Sequence, residues 1–332
     1  MTRRVVYICA AIALLVALAA WFHRMREPHS SHFRVNIVSI VEIEPIAQLR
    51  AGFREQFSGS EFAAKHAVEF QDYNGQGDPG LINQIADKVA AEHPDLVFVL
   101  GTPAAQAIQK RAPDILLVQG AVTDPVSAGL ANDWNGSGKN YVATSDLPPI
   151  ALQVNLIQTL TPSVKHLGVI YNPGEANSVA VISRLRDYLK GRSSLSLIEK
   201  PITNSGDVVT VLAALQGHVD GIYLPPDNTA YTAVPVIGRF CFDNHLPFYA
   251  TVRSSLDSGA LATLSLDFFQ LGRQSASLAL QVLGGKDPRT MPIEVSQNPT
   301  ISINAQVARQ LHINLSSFRN RPNVMIVEPL AK

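Results

Sequence analysis

The sequence predicts an α/β fold with two lobes, each built on a parallel sheet. The chain has 332 residues, which is enough for two domains. Four segments also share one layout, in which a short apolar run leads into a turn rich in Pro, Thr, Asp and Asn and then into a helical pattern. They are residues 96–108, 115–129, 167–182 and 221–234. Such strand–turn–helix units are typical of parallel sheets assembled from βαβ repeats.

The individual elements alternate regularly from residue 34 onwards. Apolar runs predict strands at residues 35–41, 67–73, 96–100, 115–119, 167–171, 195–200, 221–224 and 248–250. Amphipathic spacing predicts helices at residues 46–58, 80–92, 103–111, 150–159, 177–190, 207–216 and 233–244. We expect ligands to bind outside the carboxyl ends of these strands, as they do in open α/β sheets.

The alternation changes in the last quarter of the chain. The elements predicted there are a strand at 260–266, a helix at 269–283, a strand at 300–303 and a short helix at 305–311. This order predicts that the chain recrosses between the lobes, with hinges at residues 143–147, 250–254 and 298–302. The predicted division is a leader at 1–32, a first lobe of 33–145 and 252–299, and a second lobe of 146–251 and 300–332.

The first thirty residues favour export to the periplasm. Arg3 and Arg4 precede an apolar run over residues 5–22, which is typical of a secretory signal peptide. An uncleaved membrane anchor is the alternative, because about 18 apolar residues are just long enough to span a bilayer. Cys9 lies inside this run. Cys241 is the remaining cysteine and is predicted to be a small buried side chain.

The composition argues against several classes of function. Lys+Arg and Asp+Glu number 27 each, so no nucleic-acid partner is predicted. The 9 histidines are scattered, with no helical pair at metal-ligand spacing, so neither a metal nor a cofactor is predicted. The chain has no Gly-x-Ser-x-Gly elbow and no evident pair of nucleophile and base. The sequence therefore predicts a binding protein without catalytic residues.

Two glycine-rich motifs are better explained as turns. A Gly-x-Gly-x-x-Gly motif at residues 75–80 lies between a strand and a helix, as a dinucleotide fingerprint requires. Asp78 followed by Pro79 indicates a helix N-cap and first helical residue at that place. The segment at residues 136–139 resembles the end of a phosphate loop, but it lacks the first glycine and the strand before it, which indicates a surface loop.

The turns after the predicted strands supply the candidate ligand-binding residues. Thr102 is predicted to be the N-cap, and Pro103 the first residue, of a helix whose free N–H groups suit a carboxylate. The other turns contribute acids, amides and hydroxyls, namely Thr123, Asp124, Glu175, Asn177, Ser178, Asp227, Asn228 and Asp267. Ordinary helix caps are the alternative for each turn taken alone. Because the turns should converge on one cleft, we expect Asp227 or Asp267 to pair there with an ammonium group.

Six stretches of the chain resemble the extracytoplasmic substrate-binding proteins of tryptophan/tyrosine-type ABC uptake systems. They are NGQGD at 74–78, TPAAQA at 102–107, AVTDPVSAGL at 121–130, YNPGEANSV at 171–179, GIYLPPDN at 221–228 and DFFQLGRQ at 267–274. The resemblance extends over residues 35–313. It implies a type I periplasmic-binding-protein fold, with two Rossmann-like lobes, three crossovers and a ligand closed between them, and it implies no enzymatic activity.

The resemblance also implies individual ligand contacts. It indicates Thr102 and Ala104 in the first lobe, with Thr123 and Asp124 beside them, and Asp267 returning from that lobe. In the second lobe it indicates Glu175, Asn177, Ser178, Asp227 and Asn228. Four positions depart from the family pattern. Ser39 stands where the family tends to have Gln, and Glu44 stands where it tends to have His before Pro. Pro226 replaces a common Thr, and Phe268 replaces a common Tyr. An added acid at the cleft mouth would favour a cationic or differently sized ligand.

The leading hypothesis is a solute-binding protein that captures a small polar ligand, an amino acid or a related compound. It would act as a monomer and deliver this small molecule to an ABC permease in the inner membrane by closing its lobes on the ligand. One alternative is a membrane-tethered sensory or accessory domain that works without a transporter. A third hypothesis, an extracytoplasmic hydrolase, has only the acids of the cleft in its favour.

Overall fold

Two β-sheets flanked by helices make up the part of the chain that the computed structural model describes, residues 32–191, 195–296 and 299–328. This arrangement confirms the predicted α/β class. The predicted leader, with its apolar run and Cys9, lies outside the described residues. Within the described ranges, no helix has the length and apolar character needed to cross a membrane.

The first sheet has six strands. They are β1 (His32–Ser39), β2 (Ala67–Asn74), β3 (Leu96–Leu100), β4 (Leu117–Gly120), β5 (Tyr141–Ser145) and β11 (Glu294–Val295). Their spatial order is β11-β5-β4-β3-β1-β2, and every neighbouring pair is parallel. The connecting helices are α1 (Glu44–Ser58), α2 (Glu61–Lys65), α3 (Pro79–Glu92) and α4 (Thr102–Arg111). We call this sheet and the helices packed on it the first lobe.

The second sheet has seven strands. They are β6 (His166–Tyr171), β7 (Ser196–Pro201), β8 (Gly221–Leu224), β9 (Phe248–Ala250), β10 (Ala262–Ser265), β12 (Thr300–Asn304) and β13 (Val324–Val327). Their order is β13-β12-β10-β9-β8-β6-β7, with β10 and β12 antiparallel and the other pairs parallel. Its helices are α5 (Ile150–Leu160), α6 (Ala176–Leu189), α7 (Asp207–Leu215), α8 (Asn228–Tyr231), α9 (Val234–Asp243) and α11 (Ala305–Gln310). This sheet and its helices form the second lobe.

The chain passes between the two sheets three times, and one of the predicted hinges is wrong. The first crossing follows β5, as predicted. The second was expected at residues 250–254, but the chain there stays in the second sheet, because β10 pairs with β9. The second crossing therefore follows β10, and residues 252–265 do not belong to the first lobe. The third lies between Val295 and Thr300, and Asn298 of that predicted hinge is outside the described residues.

The helix after the second crossing, α10 (Phe268–Leu283), belongs to the first lobe by its packing. It crosses α1 at two glycines that allow the backbones to touch. A Cβ atom on Gly52 would lie 2.0 Å from the carbonyl oxygen of Phe269, and one on Gly272 would lie 2.0 Å from that of Leu49. No larger residue fits either position without separating the helices. This contact fixes the returning chain to the first lobe.

Each sheet carries apolar clusters on both of its faces, as expected for parallel sheets covered by helices. In the first lobe, Phe53 of α1 stacks on Phe98 of β3 with ring centroids 3.9 Å apart. Cys241 is buried, as predicted, and burial raises the pKa of its thiol. Asp78 accepts hydrogen bonds from the N–H groups of Gly80 and Leu81, which confirms that the glycine motif ends in a helix cap.

Candidate functional site

A cavity lies between the two lobes at the carboxyl ends of the strands. About 580 Å³ of space between its lining residues is free of protein atoms, and part of this space is open to solvent. Loops that follow β3, β4, β5, β8 and β9 line it, so both sheets contribute. The lining residues whose side chains carry polar groups are Thr102, Thr123, Asp146, Asn177, Asp227, Asn228, Tyr231 and Thr251.

The first lobe presents the start of α4 to this cavity. Gly101 is the N-cap of the helix, with a φ of 90° that glycine adopts without strain, and Thr102 is the first helical residue. The prediction that Thr102 is the cap is therefore wrong. The Thr102 side chain is 1% exposed, and its Oγ1 has no hydrogen-bond partner among the described residues. This hydroxyl and the free N–H groups of the helix start remain available to a ligand.

Asp146, directly after β5, is a lining residue that was not predicted. The Thr123 hydroxyl donates a hydrogen bond of 2.8 Å to its Oδ1. Burial raises the pKa of Asp146 to about 6, although the hydrogen bonds from Thr123 and from its own backbone lower it. Asp146 follows the apolar run of β5 as the other cleft residues follow theirs, but this segment was interpreted as a hinge alone.

Asn177 and Asp227 line the cavity from the second lobe. Asn177 Nδ2 donates to Glu175 Oε2 over 3.1 Å and to the Pro226 carbonyl over 3.0 Å. These bonds fix the amide so that Oδ1 is its remaining polar atom. Asn177 is 4% exposed, and this Oδ1 has no hydrogen-bond partner in the part of the chain that the structure describes.

Glu175 ties together the two loops that carry these residues. Its carboxylate accepts hydrogen bonds from Asn177 Nδ2, from the backbone and amide of Asn228, and from the backbone and hydroxyl of Thr229. The carboxylate faces its own lobe rather than the cavity. Glu175 therefore supports the β6–α6 and β8–α8 loops, which hold Asn177 and Asp227 in place.

Asp227 lines the cavity, but both oxygens of its carboxylate already accept hydrogen bonds from its own lobe. Oδ1 accepts from the Ala230 N–H at 2.7 Å, and Oδ2 accepts from the Asn172 N–H and the Ser178 hydroxyl, each at 2.6 Å. Burial and the nearby Glu175 raise the pKa of Asp227, while these three hydrogen bonds oppose the increase. Asp227 is the cap of α8 and an anchor of its loop.

Asp124, another predicted ligand residue, does not line the cavity. Its Oδ1 accepts from the Ser127 N–H at 3.0 Å, and its Oδ2 pairs with Arg184 of α6. Burial disfavours the charge of Asp124, but the bonds from Ser127 and Arg184 prevail and hold its pKa below the ordinary value. Asp124 therefore makes a contact between the lobes.

The other predicted residues also lie outside this cavity. They are Ala104 in the first core, Ser178 bonded to Pro226 and Asp227, Ser39 bonded to the Tyr73 carbonyl, and the exposed Glu44 and Asp267. Asp267 caps α10 through the Gln270 N–H, and with Glu44 it lines a separate surface groove. Of the predicted residues, the structure thus brings Thr102, Thr123, Asn177, Asp227 and Asn228 together.

Apolar side chains complete the lining. They come from the start of α1, from the loop after β9, from β10 and from the start of α10, and include Ile43, Pro45, Val252, Leu264 and Phe268. The sequence analysis did not predict these residues, because it chose candidates from the polar turns and these side chains are apolar. Among the described residues, no cluster of three or more His, Cys, Asp or Glu side chains is arranged to hold a metal ion.

Comparison with known proteins agrees with this arrangement. The family model for ABC transporter substrate-binding proteins matches residues 34–318. A tyrosine-binding protein from Clostridioides difficile is 32% identical over 86% of this chain and 83% of its own length.

Two solved structures share the fold. One is the ABC domain in complex with L-Trp from Streptococcus pneumonia, with a TM-score of 0.83 and 24% identity over 90% of this chain and 100% of that chain. The other is a ligand-free, open substrate-binding protein from Clostridium difficile, with a TM-score of 0.69 and 28% identity over 90% of this chain and 99% of that chain. The structural neighbours are type I periplasmic binding proteins, which confirms the predicted fold. The chain belongs to the family of ABC transporter substrate-binding proteins.

Proposed function

We propose that this substrate-binding protein captures an amino acid between its lobes, outside the cytoplasm, and delivers it to the permease of an ABC importer. Family membership gives the coarser statement, which is a small-molecule ligand and a permease partner. The amino acid, the periplasmic location and action as a monomer are the finer proposals. Binding without chemical conversion and the lack of a nucleic-acid partner belong to the same proposal.

The observation that carries the proposal is a pair of buried polar atoms on opposite lobes. Thr102 Oγ1 and Asn177 Oδ1 belong to lining residues of the same cavity, and neither has a hydrogen-bond partner within the described ranges. A buried polar group without a hydrogen bond costs free energy, so such groups favour a ligand that supplies the bond. A ligand that bonded both would join the lobes, because the closed form alone offers both groups.

The rest of the cavity suits the two ends of an amino acid. The start of α4 offers free N–H groups and a partial positive charge, which favour a carboxylate. The apolar lining from Ile43, Val252, Leu264 and Phe268 suits an apolar or aromatic side chain. The names of the relatives, one binding tyrosine and one holding L-Trp, support the same class of ligand.

The test is a thermal-shift screen of the purified protein against the twenty common amino acids and a panel of sugars, followed by calorimetry. We expect at least one amino acid to raise the melting temperature and no sugar to do so. Stabilisation by a sugar alone would overturn the proposal. Chromatography of the recovered ligand should show that it is chemically unchanged.

A further inference from the structure

We propose that Asp146 binds the positively charged amine of the ligand, and this inference rests on the proposed amino-acid function. The sequence pattern favoured Asp227 or Asp267 for that role. The structure separates the acids of the cleft by the partners that each already has. Of the two described acids that line the cavity, Asp146 accepts one hydrogen bond from another residue and Asp227 accepts three.

The hydrogen bonds of the two lining acids differ. Asp227 accepts bonds on both oxygens, with three donors from its own lobe. Asp146 accepts a hydrogen bond from the Thr123 hydroxyl on Oδ1 and one from its own backbone N–H, and no further donor to its carboxylate is found among the described residues. A cation that approached Asp146 would gain a carboxylate oxygen without displacing a protein hydrogen bond.

The charges of the lining residues also favour a cation beside Asp146. None of the described residues that line it is a lysine, an arginine or a histidine. The half-buried carboxylate of Asp146 therefore has no counter-ion among these lining residues. Removing a charge from water is costly unless it is paired, so the closed cavity favours a ligand that brings the positive charge.

The position of Asp146 fits an α-amino acid that is held at α4 by its carboxylate. Thr102 follows β3 and Asp146 follows β5, with β4 between them in the sheet. Two strand spacings separate these positions by about 10 Å. That span accommodates one small group with a hydrogen bond at each end, as the carboxylate and ammonium of an amino acid require.

The experiment compares the wild type with Asp146→Asn by calorimetry. The ligands are the twenty common amino acids, tyramine and tryptamine, which lack the carboxylate, and the two deaminated acids 3-(4-hydroxyphenyl)propionate and 3-(indol-3-yl)propionate. We expect Asp146→Asn to weaken amino-acid binding by about 30-fold or more, as loss of an enclosed ion pair should. Binding of the deaminated acids should change less than threefold.

A matched control is Asp78→Asn, which removes the same charge from an exposed helix cap that asparagine also serves well. It should bind like the wild type. The melting temperature of Asp146→Asn without ligand should equal or exceed that of the wild type, whereas a merely structural acid would lower it. Should Asp146→Asn not fold, Thr123→Val gives a second test, because it leaves the acid but removes its donor and should shift the pH dependence of binding.

The outcomes separate the two proposals. Equal amino-acid affinity for the wild type and Asp146→Asn would overturn the role of Asp146 and leave the proposed function standing. Binding of an amine but of no amino acid, lost in Asp146→Asn, would overturn the proposed function and support Asp146. A wild type that bound no amine-containing compound of the panel would overturn both.

Discussion

Asp124 of the first lobe accepts two hydrogen bonds from Arg184 of the second lobe, at 2.5 Å from Nη2 and 3.1 Å from Nε. Trp134 of the first lobe lies 6.0 Å from the same guanidinium group. Asp124 is 1% exposed, so its charge depends on this partner in the closed arrangement. Neither residue of this ion pair lines the ligand cavity. The pair therefore joins the two lobes through side chains that a ligand in the cavity does not need to touch.

Replacing the cation of this pair should weaken ligand binding without altering the cavity. Arg184→Gln leaves Asp124 buried without its partner when the lobes are closed, whereas water can solvate that acid when they are open. We expect a loss of about 1–2 kcal/mol in the closed state, or about 5- to 30-fold in Kd. Calorimetry measures the affinity, and small-angle scattering measures the compactness of the unliganded protein.

The matched control for this prediction is Arg186→Gln on the same helix. Arg186 pairs with Glu199 of its own lobe, so its loss does not bear on closure. Its Kd should match that of the wild type. Equal affinities for the Arg184 and Arg186 variants would contradict a role of the Asp124–Arg184 pair in closure.

Thr102→Val should separate binding from stability. The Thr102 hydroxyl is buried without a partner, so replacing it by a methyl group breaks no bond within the protein. We expect the melting temperature to stay level or rise, while amino-acid affinity falls about tenfold through loss of one hydrogen bond to the ligand. Thr144→Val is the control, because that buried hydroxyl bonds Ser275 and its loss should lower stability but not affinity. Normal amino-acid binding by Thr102→Val would show that this hydroxyl does not bond the ligand.

Glu175→Ala should act in the opposite way, through the fold of the second lobe. The change removes five hydrogen bonds, four of which join the β6–α6 loop to the start of α8. It leaves half-buried N–H and amide groups of Asn228 and Thr229 without these partners, and we expect the free energy of unfolding to fall by about 3 kcal/mol. Urea denaturation followed by circular dichroism measures this loss. An unchanged midpoint would show that Glu175 does not support these loops, and the exposed Glu328→Ala should leave the midpoint unchanged.

The sequence predicted where the site lies because strand ends carry a local signal. An apolar run followed by Thr, Asn or Asp is visible within ten residues, and five of the predicted residues do meet at the cavity. The state of each acid depends on distant partners. Glu175 accepts a hydrogen bond from Asn228, and Asp227 accepts one from Asn172, and each donor lies more than fifty residues away along the chain. The sequence therefore could not distinguish an acid that anchors a loop from an acid that contacts the ligand.

The lobe assignment of β10 failed for a similar reason. Its apolar alternation predicts a strand but not the neighbour with which it pairs, and the antiparallel contact with β12 is a property of the assembled sheet. The same limit concealed Asp146. Its segment bears the strand-end signal, yet it also lies at a crossing between the lobes. Nothing in the sequence shows that one residue can both belong to a hinge and line the cavity.

The pH dependence of binding provides a test of Asp146 that does not rely on a loss of function. Its pKa in the folded protein is raised to about 6, chiefly by burial, so the carboxyl group becomes protonated as the pH falls below that value. A protonated Asp146 cannot pair with an ammonium group. We therefore expect amino-acid affinity to fall by up to about tenfold per pH unit below pH 6, with a plateau above pH 7. The carboxylate and ammonium of the ligand keep their charges across this range.

Other titratable groups that face the cavity are Asp227 and Tyr231, and variants distinguish them from Asp146. Burial raises the pKa of Tyr231, so it stays neutral, while Asp227 remains unaltered in every variant compared. Asp146→Asn should lose the part of the pH dependence that Asp146 contributes and keep only the part that comes from Asp227. Thr123→Val should move the midpoint upward, because it removes a hydrogen bond that favours the ionised acid.

The raised pKa of Asp146 also predicts how stability depends on pH, and the direction is opposite to that expected for an acid in an ion pair. Because its folded pKa lies above the unfolded value, Asp146 contributes stability at acid pH, and this contribution is lost as the pH rises through about 6. Asp146→Asn has no such loss. The unliganded variant should therefore melt at the same temperature as the wild type or a few degrees higher at pH 7.5, and differ less at pH 5. A variant that melted lower at pH 7.5 would indicate that a protein group already pairs with Asp146, which would leave no place there for the amine of a ligand.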